Sequence, residues 1–199
     1  NEMETVAFIG VSLLLICFFI IATLKCRKQN ADNLQSCKHV PHSYSCGKTE
    51  LSVITMNQIE LQRVVGKGHF AMVFQGSYNG SQVAVKVIPA DKKHIFNREK
   101  EIFELKLLKH VGIINVLGAG RNSDNKSLFL VLEFIEHGSL HFFLNTHKIS
   151  WMLSLKLCQT LSQGLSYLHT EIQGHGSVFK PSVAHRDLSS FNVLVRADG

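Results

Sequence analysis

Gly66-Lys67-Gly68-His69-Phe70-Ala71-Met72-Val73, with Val83-Ala84-Val85-Lys86 a short polar step later, is the stretch on which the fold turns. The first part reads G-x-G-x-x-A-x-V. Without Cβ atoms, Gly66 and Gly68 let backbone amides come close to a phosphate. Taken alone, such a loop also suits an ordinary hairpin or a dinucleotide fingerprint. The fingerprint requires a helix after the loop, and here a strand pattern follows. Apolar patterning predicts strands over 59–65, 71–78 and 82–88. Asn79-Gly80 between the last two is a strong hairpin signal, because both residues tolerate positive φ.

Reading outward, Val83-Ala84-Val85-Lys86 matches the strand on which a protein kinase keeps the lysine for the α- and β-phosphates. A helix is predicted over 96–109, where Glu99, Ile102, Phe103 and Lys106 share one face. Glu99 is the expected partner of Lys86, and Glu101 and Glu104 are expected in solvent on other faces. Leu128-Phe129-Leu130-Val131-Leu132-Glu133-Phe134 is a nearly continuous apolar strand. With Ile135-Glu136-His137-Gly138-Ser139-Leu140 it resembles a kinase hinge, although an ordinary buried strand suits the residues equally. Leu153, Leu157, Leu161, Leu165 and Leu168 recur at three- and four-residue spacing, which predicts a long amphipathic helix with a core-packing stripe. Then comes His185-Arg186-Asp187-Leu188-Ser189-Ser190-Phe191-Asn192, the H-R-D-L-x-x-x-N pattern of a catalytic loop. Asp187 is expected to accept the substrate hydroxyl proton and Asn192 to bind Mg²⁺. Phosphoryl transfer needs mainly positioning and charge neutralisation, which accounts for one carboxylate, one amide and cations. Glycine loop, lysine strand, glutamate, hinge and His-Arg-Asp occur in kinase order.

Toward the N-terminus, residues 6–24 (VAFIGVSLLLICFFIIATL) are 19 residues without a charge, enough helix to cross about 30 Å of hydrocarbon. Glu2 and Glu4 precede the run, while Lys25, Arg27 and Lys28 follow it. Positive charge stays on the cytoplasmic side, so residues 1–5 are expected outside and 25–199 inside. A signal peptide would carry its positive charge before the run and a shorter apolar core. Residues 25–58 lack sustained periodicity and read as a juxtamembrane linker. Cys37, His39, His42 and Cys46 lie there without the spacing of a zinc set. Cys17, Cys26 and Cys158 complete five cysteines that form no secreted disulfide framework. The net charge of +6 gathers largely after the apolar run, and no Lys/Arg block is interleaved with aromatics. Nucleic acid is therefore not an expected partner.

Residues 59–199 resemble the receptor serine/threonine kinases of the TGF-β superfamily. The resemblance rests on Gly138-Ser139-Leu140, on Gly164-Leu165-Ser166-Tyr167-Leu168-His169, and above all on Lys180-Pro181-Ser182-Val183-Ala184-His185-Arg186-Asp187-Leu188. Type I members carry a Gly/Ser-rich segment before the kinase domain. Residues 25–58 contain none, so the resemblance is to type II. It implies an α+β, bilobal protein-kinase fold, with an antiparallel-sheet N-lobe and an incomplete helical C-lobe, behind a single transmembrane α-helix. It implies ATP and Mg²⁺ (or Mn²⁺) as cofactors. The catalytic residues would be Asp187, Lys86 and Glu99. Gly66, Lys67, Gly68, Ala71, Val73, Ala84, Lys86, Leu132, Glu133, Ile135 and Leu194 would hold the nucleotide. Leu132 would be the gatekeeper, the backbone of Glu133 and Ile135 would bond adenine, and Asn192 would ligate the metal. The implied partners are a type I receptor, an extracellular dimeric growth-factor ligand and the cell membrane.

Two residues depart from the kinase pattern. Ala71 replaces the third glycine of the loop, and Ser189 replaces the lysine that usually helps neutralise the γ-phosphate. A strand is predicted over 193–196 with a turn at Asp198-Gly199, and the metal-binding Asp-Phe/Leu-Gly segment is expected beyond it. The expectation is a fragment of a larger receptor, inactive by itself. A membrane-anchored non-catalytic decoy and a pseudokinase interaction module remain open alternatives.

Overall fold

The computed structural model describes residues 48–175 and 178–197. The predicted transmembrane run 6–24, the stub 1–5, the linker as far as residue 47, and the turn at 198–199 lie outside the described residues. No helix among the described residues is long and apolar enough to cross a membrane.

Five antiparallel strands form the main sheet: β1 (Ile59–Lys67), β2 (Met72–Tyr78), β3 (Ser81–Pro89), β4 (Val116–Arg121) and β5 (Ser127–Glu133), in the order β1-β2-β3-β5-β4. The β2–β3 hairpin closes through Tyr78↔Ser81, with Asn79 at φ 50 and Gly80 at φ 77. Helix α1 (Lys93–Phe103) crosses between β3 and β4. Strand β5 is apolar at every position from 128 to 132 because both of its faces are covered. Phe129 and Val131 join Ile54, Ile59, Val83 and Val85 on one face. Leu128, Leu130 and Leu132 join Ile88, Ala119 and Phe96 of α1 on the other. All of the β5 core positions are at most 8% exposed, so the sheet's centre is set by this strand.

Helix α1 differs from the predicted 96–109. It begins three residues earlier and stops at Phe103 because the chain there is claimed by another segment. The Thr49 amide donates to the Glu104 carbonyl at 2.7 Å, and Lys48 bridges Leu105. Lys106 is consequently outside the helix. Glu104 is also corrected: it is buried and paired with Lys100, not solvated. Residues 48–55, assigned by sequence to the linker, run along β4 instead. Ile54 N donates to Ala119 O and Ala119 N to Ser52 O, both at 2.9 Å, and Ile54 is 2% exposed. Gly120 makes this approach possible: a Cβ there would sit 2.0 Å from the Ile54 carbonyl oxygen and 2.4 Å from Phe129 Cζ.

Two further helices follow β5, α2 (Leu140–Thr146) and α3 (Trp151–His169). Each starts on a serine whose hydroxyl accepts an orphan amide: Ser139 from Phe142 N and Ser150 from Leu153 N. Of the leucine stripe on α3, Leu168 is buried with Leu105 and Leu108, and Leu155, between the stripe positions, is exposed. A two-strand ladder, β6 (Ile172–Gln173) with β7 (Phe179–Lys180), leads toward His185-Arg186-Asp187. The predicted strand at 193–196 is reduced to one bridge, Ser139↔Leu194.

Candidate functional site

The β1–β2 turn holds the glycine loop. Gly66 lies opposite Val73 and Lys67 opposite Met72, and the Gly68 amide donates to the Ala71 carbonyl at 2.9 Å. That bond draws Ala71 across the turn, so the loop closes without a third glycine. Val73 in turn lies opposite Lys86 on β3, and Lys86 opposite Leu130 on β5. The lysine is therefore on a central strand directly behind the loop. Its Nζ donates to Glu99 Oε1 at 2.6 Å, each side chain being 29% exposed. Phe96 buries the α1 face that carries Glu99 three residues on, which aims the carboxylate at the sheet. Glu101 is exposed and has no part in the pair.

At the end of β5, Ala84 lies opposite Leu132, which is 8% exposed, and Val83 opposite Glu133. The Glu133 amide donates to Asn115 O at 3.0 Å. The Ile135 carbonyl accepts from the Gly138 amide at 3.1 Å, closing a turn with Gly138 at φ 65. Ile135 keeps its N–H as the remaining backbone group. Leu194 is brought beside this turn through its bridge to Ser139 and through Val195 N, which donates to Gly138 O at 2.9 Å.

The His185–Asn192 loop is fixed from within and from α2. Arg186 sits at φ 67, a strained left-handed conformation for an arginine. The Asn192 side-chain nitrogen donates to Asp187 O at 2.9 Å and to Asp187 Oδ2 at 2.8 Å. His141 N donates to Ser190 O and Leu140 N to Val193 O, while Phe191 stacks on His141 at 4.0 Å. With its nitrogen engaged, Asn192 has its Oδ1 left for a cation. That amide oxygen is a hard donor of the kind Mg²⁺ takes. Among the described residues no group of three or more His, Cys, Asp or Glu could hold a metal unaided. A magnesium ion completes its shell with phosphate oxygens and water, so this donor fits.

Sequence reasoning foresaw neither the contact of Arg196 nor the setting of Lys180, which it had used only as a mark of resemblance. Arg196 Nη2 reaches Glu133 Oε1 at 2.8 Å, and Lys180 Nζ donates to three carbonyls ahead of the catalytic loop. Both are long side chains whose targets are remote in sequence or on the backbone, so no spacing announces them.

The pattern of the protein tyrosine and serine/threonine kinases matches residues 59–199. The chain belongs to that family. It is 39% identical over 143 residues to mouse activin receptor type-1-like, and over 144 residues to human activin receptor type-1B and human TGF-beta receptor type-1. Each match takes in 71% of this chain and 28% of the relative. The chain thus spans less than a third of those relatives' length.

Proposed function

We propose that the chain carries the ATP site and catalytic loop of a receptor serine/threonine kinase of the TGF-β superfamily. The observation that carries this reading is the 2.6 Å Lys86–Glu99 pair on a central strand behind the glycine loop. Lys86 holds the α- and β-phosphates and Glu99 holds Lys86. The turn glycines leave room for the phosphates, and Val73, Ala84, Leu132 and Leu194 enclose adenine. Glu133 and Ile135 offer it backbone groups. Asp187 takes the substrate hydroxyl proton, and Asn192 Oδ1 is the side-chain ligand for Mg²⁺ or Mn²⁺. The metal, when bound, neutralises charge on the transferring phosphate.

Residues 6–24 span the cell membrane in this reading, with the kinase segment in the cytosol. A type II receptor is favoured because 25–58 holds no Gly/Ser-rich block, although the relatives named above are type I. Ser189-Ser190 and the run 193–199 resemble most the anti-Müllerian hormone type II receptor. The substrate is then Ser/Thr of a type I receptor, under control of an extracellular dimeric growth factor.

The test is Mg-ATP phosphotransfer to the cytosolic segment of a type I receptor, using the protein at its full expressed length. Incorporation on serine and threonine, lowered at least a hundredfold by Asp187→Asn, is expected. ATP binding without transfer in the unsubstituted protein would turn the reading to a pseudokinase.

A further inference from the structure

Lys180 is the only charged residue among those described that is fully buried, at 0% exposure. It lies on β7, seven residues before Asp187. All three of its ammonium hydrogens have acceptors: Leu168 O at 3.0 Å, Thr170 O at 2.7 Å and Pro181 O at 3.1 Å. Leu168 and Thr170 are at the carbonyl end of α3, where orphan acceptors and the negative end of the helix dipole gather. The Tyr167 ring lies 5.3 Å from Nζ. Burial lowers the lysine pKa from its ordinary 10.5, and the Glu171 carboxylate acts the other way.

Stability alone does not account for a buried cation. An apolar side chain of similar volume is often as good or better, because the charge must first be stripped of water. What the ammonium supplies, and an apolar side chain does not, is three directed bonds. They fix where β7 meets the end of α3. Three residues later the Val183 amide donates to the same Leu168 carbonyl at 2.8 Å. The segment 180–183 is thereby held at both ends on one helix terminus. From Val183 only Ala184, His185 and Arg186 precede Asp187, a reach of roughly 10 Å to 14 Å. The pin also touches the other half of the site. Tyr167, beside the ammonium, donates its hydroxyl to Leu107 O and stacks on His110 at 4.7 Å, in the loop that follows α1 and Glu99.

We propose that Lys180 is a positioning residue for phosphoryl transfer: its three carbonyl bonds to the end of α3 set the approach of the chain to Asp187. The role given to Asp187 rests on the function proposed above; the pin itself does not. Lys180→Met keeps the stem and removes the donors. Lys180→Gln is shorter and keeps an NH₂.

The test is hydrogen exchange and side-chain amide spectroscopy on the 199-residue chain in detergent, without nucleotide. In Lys180→Met the Val183 and Asn192 amides are expected to exchange at least tenfold faster. The Asn192 side-chain amide resonances shift, and the β3 and β5 amides stay within twofold of the parent. Lys180→Gln recovers part of the protection. Unchanged protection at Val183 and Asn192 overturns the proposal. So does an equal rise at every amide in both variants, which marks a packing role only. In the protein at its full expressed length, Lys180→Met is expected to lower kcat at least tenfold with KM for ATP within threefold. If Asp187→Asn leaves transfer intact while the exchange result holds, the reading of Asp187 fails and the pin stands.

Discussion

Arg196 Nη2 donates to Glu133 Oε1 at 2.8 Å, and the same oxygen accepts from the Asn115 amide at 2.7 Å. One carboxylate thus joins the last residue of β5 to the chain after the His185–Asn192 loop and to the segment entering β4. It lies where the sheet hands over to the helices, so its loss loosens both. Arg196 is 39% exposed, and solvent screening keeps the pair modest. Arg196→Ala is expected to cost about 0.5–1 kcal/mol of unfolding free energy. Glu133→Ala removes the acceptor for both donors and is expected to cost about 1.5–3 kcal/mol. Urea unfolding of the two variants checks the order; equal costs would mean that Asn115 gains nothing from the carboxylate.

The Lys86–Glu99 pair sits in a half-open site at 29% exposure on each side, so a bound nucleotide shields it further from water. On the proposed reading, Lys86→Met is expected to weaken Mg-ATP binding about tenfold or more, and Glu99→Gln by less, since it removes the partner and not the proposed phosphate contact. Titration with a fluorescent ATP analogue reads both. A Glu99→Gln effect as large as that of Lys86→Met would show that the carboxylate does more than orient the lysine.

Two glycines separate crowding from backbone strain. Gly120 has an ordinary φ and no room: a Cβ would meet Ile54 O at 2.0 Å and Phe129 Cζ at 2.4 Å. Gly138 has free space and φ 65. Gly138→Ala is expected to cost about 1–2 kcal/mol, the usual left-handed penalty. Gly120→Ala is expected to cost about 3 kcal/mol or more, because the segment 48–55 or Phe129 must move. Thermal unfolding of the pair tests the ranking.

Ile54 contributes to the sheet core from a segment outside the sheet. Ile54→Ala is expected to cost about 2–5 kcal/mol, the range for a buried truncation. Val53→Ala, on the next residue at 87% exposure, is expected to stay within about 0.5 kcal/mol. A negligible Ile54→Ala effect would mean that 48–55 does not hold against β4 in solution.

Lys180 gives a pH signature of fixed sign. Its folded pKa lies below the 10.5 of the unfolded chain, so between the two values the unfolded state binds more protons. Stability from this group is lowest while both states are charged and rises with pH through the folded pKa up to 10.5. Relative to Lys180→Met, the parent is expected to gain stability as pH is raised across that window. Denaturation midpoints measured from neutral pH upward, parent against variant, give the difference; a falling curve would contradict the burial.

Much of the nucleotide half was legible because it is local chemistry. Asn79-Gly80 closed the β2–β3 hairpin, alternation along 82–88 announced one strand, and the continuous apolar run 128–132 announced another. The glycine loop and Lys86 needed only adjacent strand pairing to meet, and Glu99 the burial of Phe96 on its helix face. Helix α1 was misjudged at both ends since its stop at Phe103 is imposed by Thr49 and Lys48, more than fifty residues upstream. Strand β4 went unread because Gly118 and Gly120 dilute its apolar pattern, and those glycines answer to the chain packed across them.

The sequence by itself determined which residues are the candidates for the chemistry: Gly66, Lys86, Glu99, Asp187 and Asn192 are there by type and order, and short-range periodicity assigned most of them to strand, helix or loop. Only the tertiary structure decided how they are held. The Ile54 segment in the core, the Glu104 carbonyl taken by Thr49, Arg196 on Glu133 and the three carbonyls around Lys180 join residues remote in sequence or meet the backbone. Such contacts arise from burial and from hydrogen bonds that must be satisfied once water is excluded, and neither leaves a spacing in the chain.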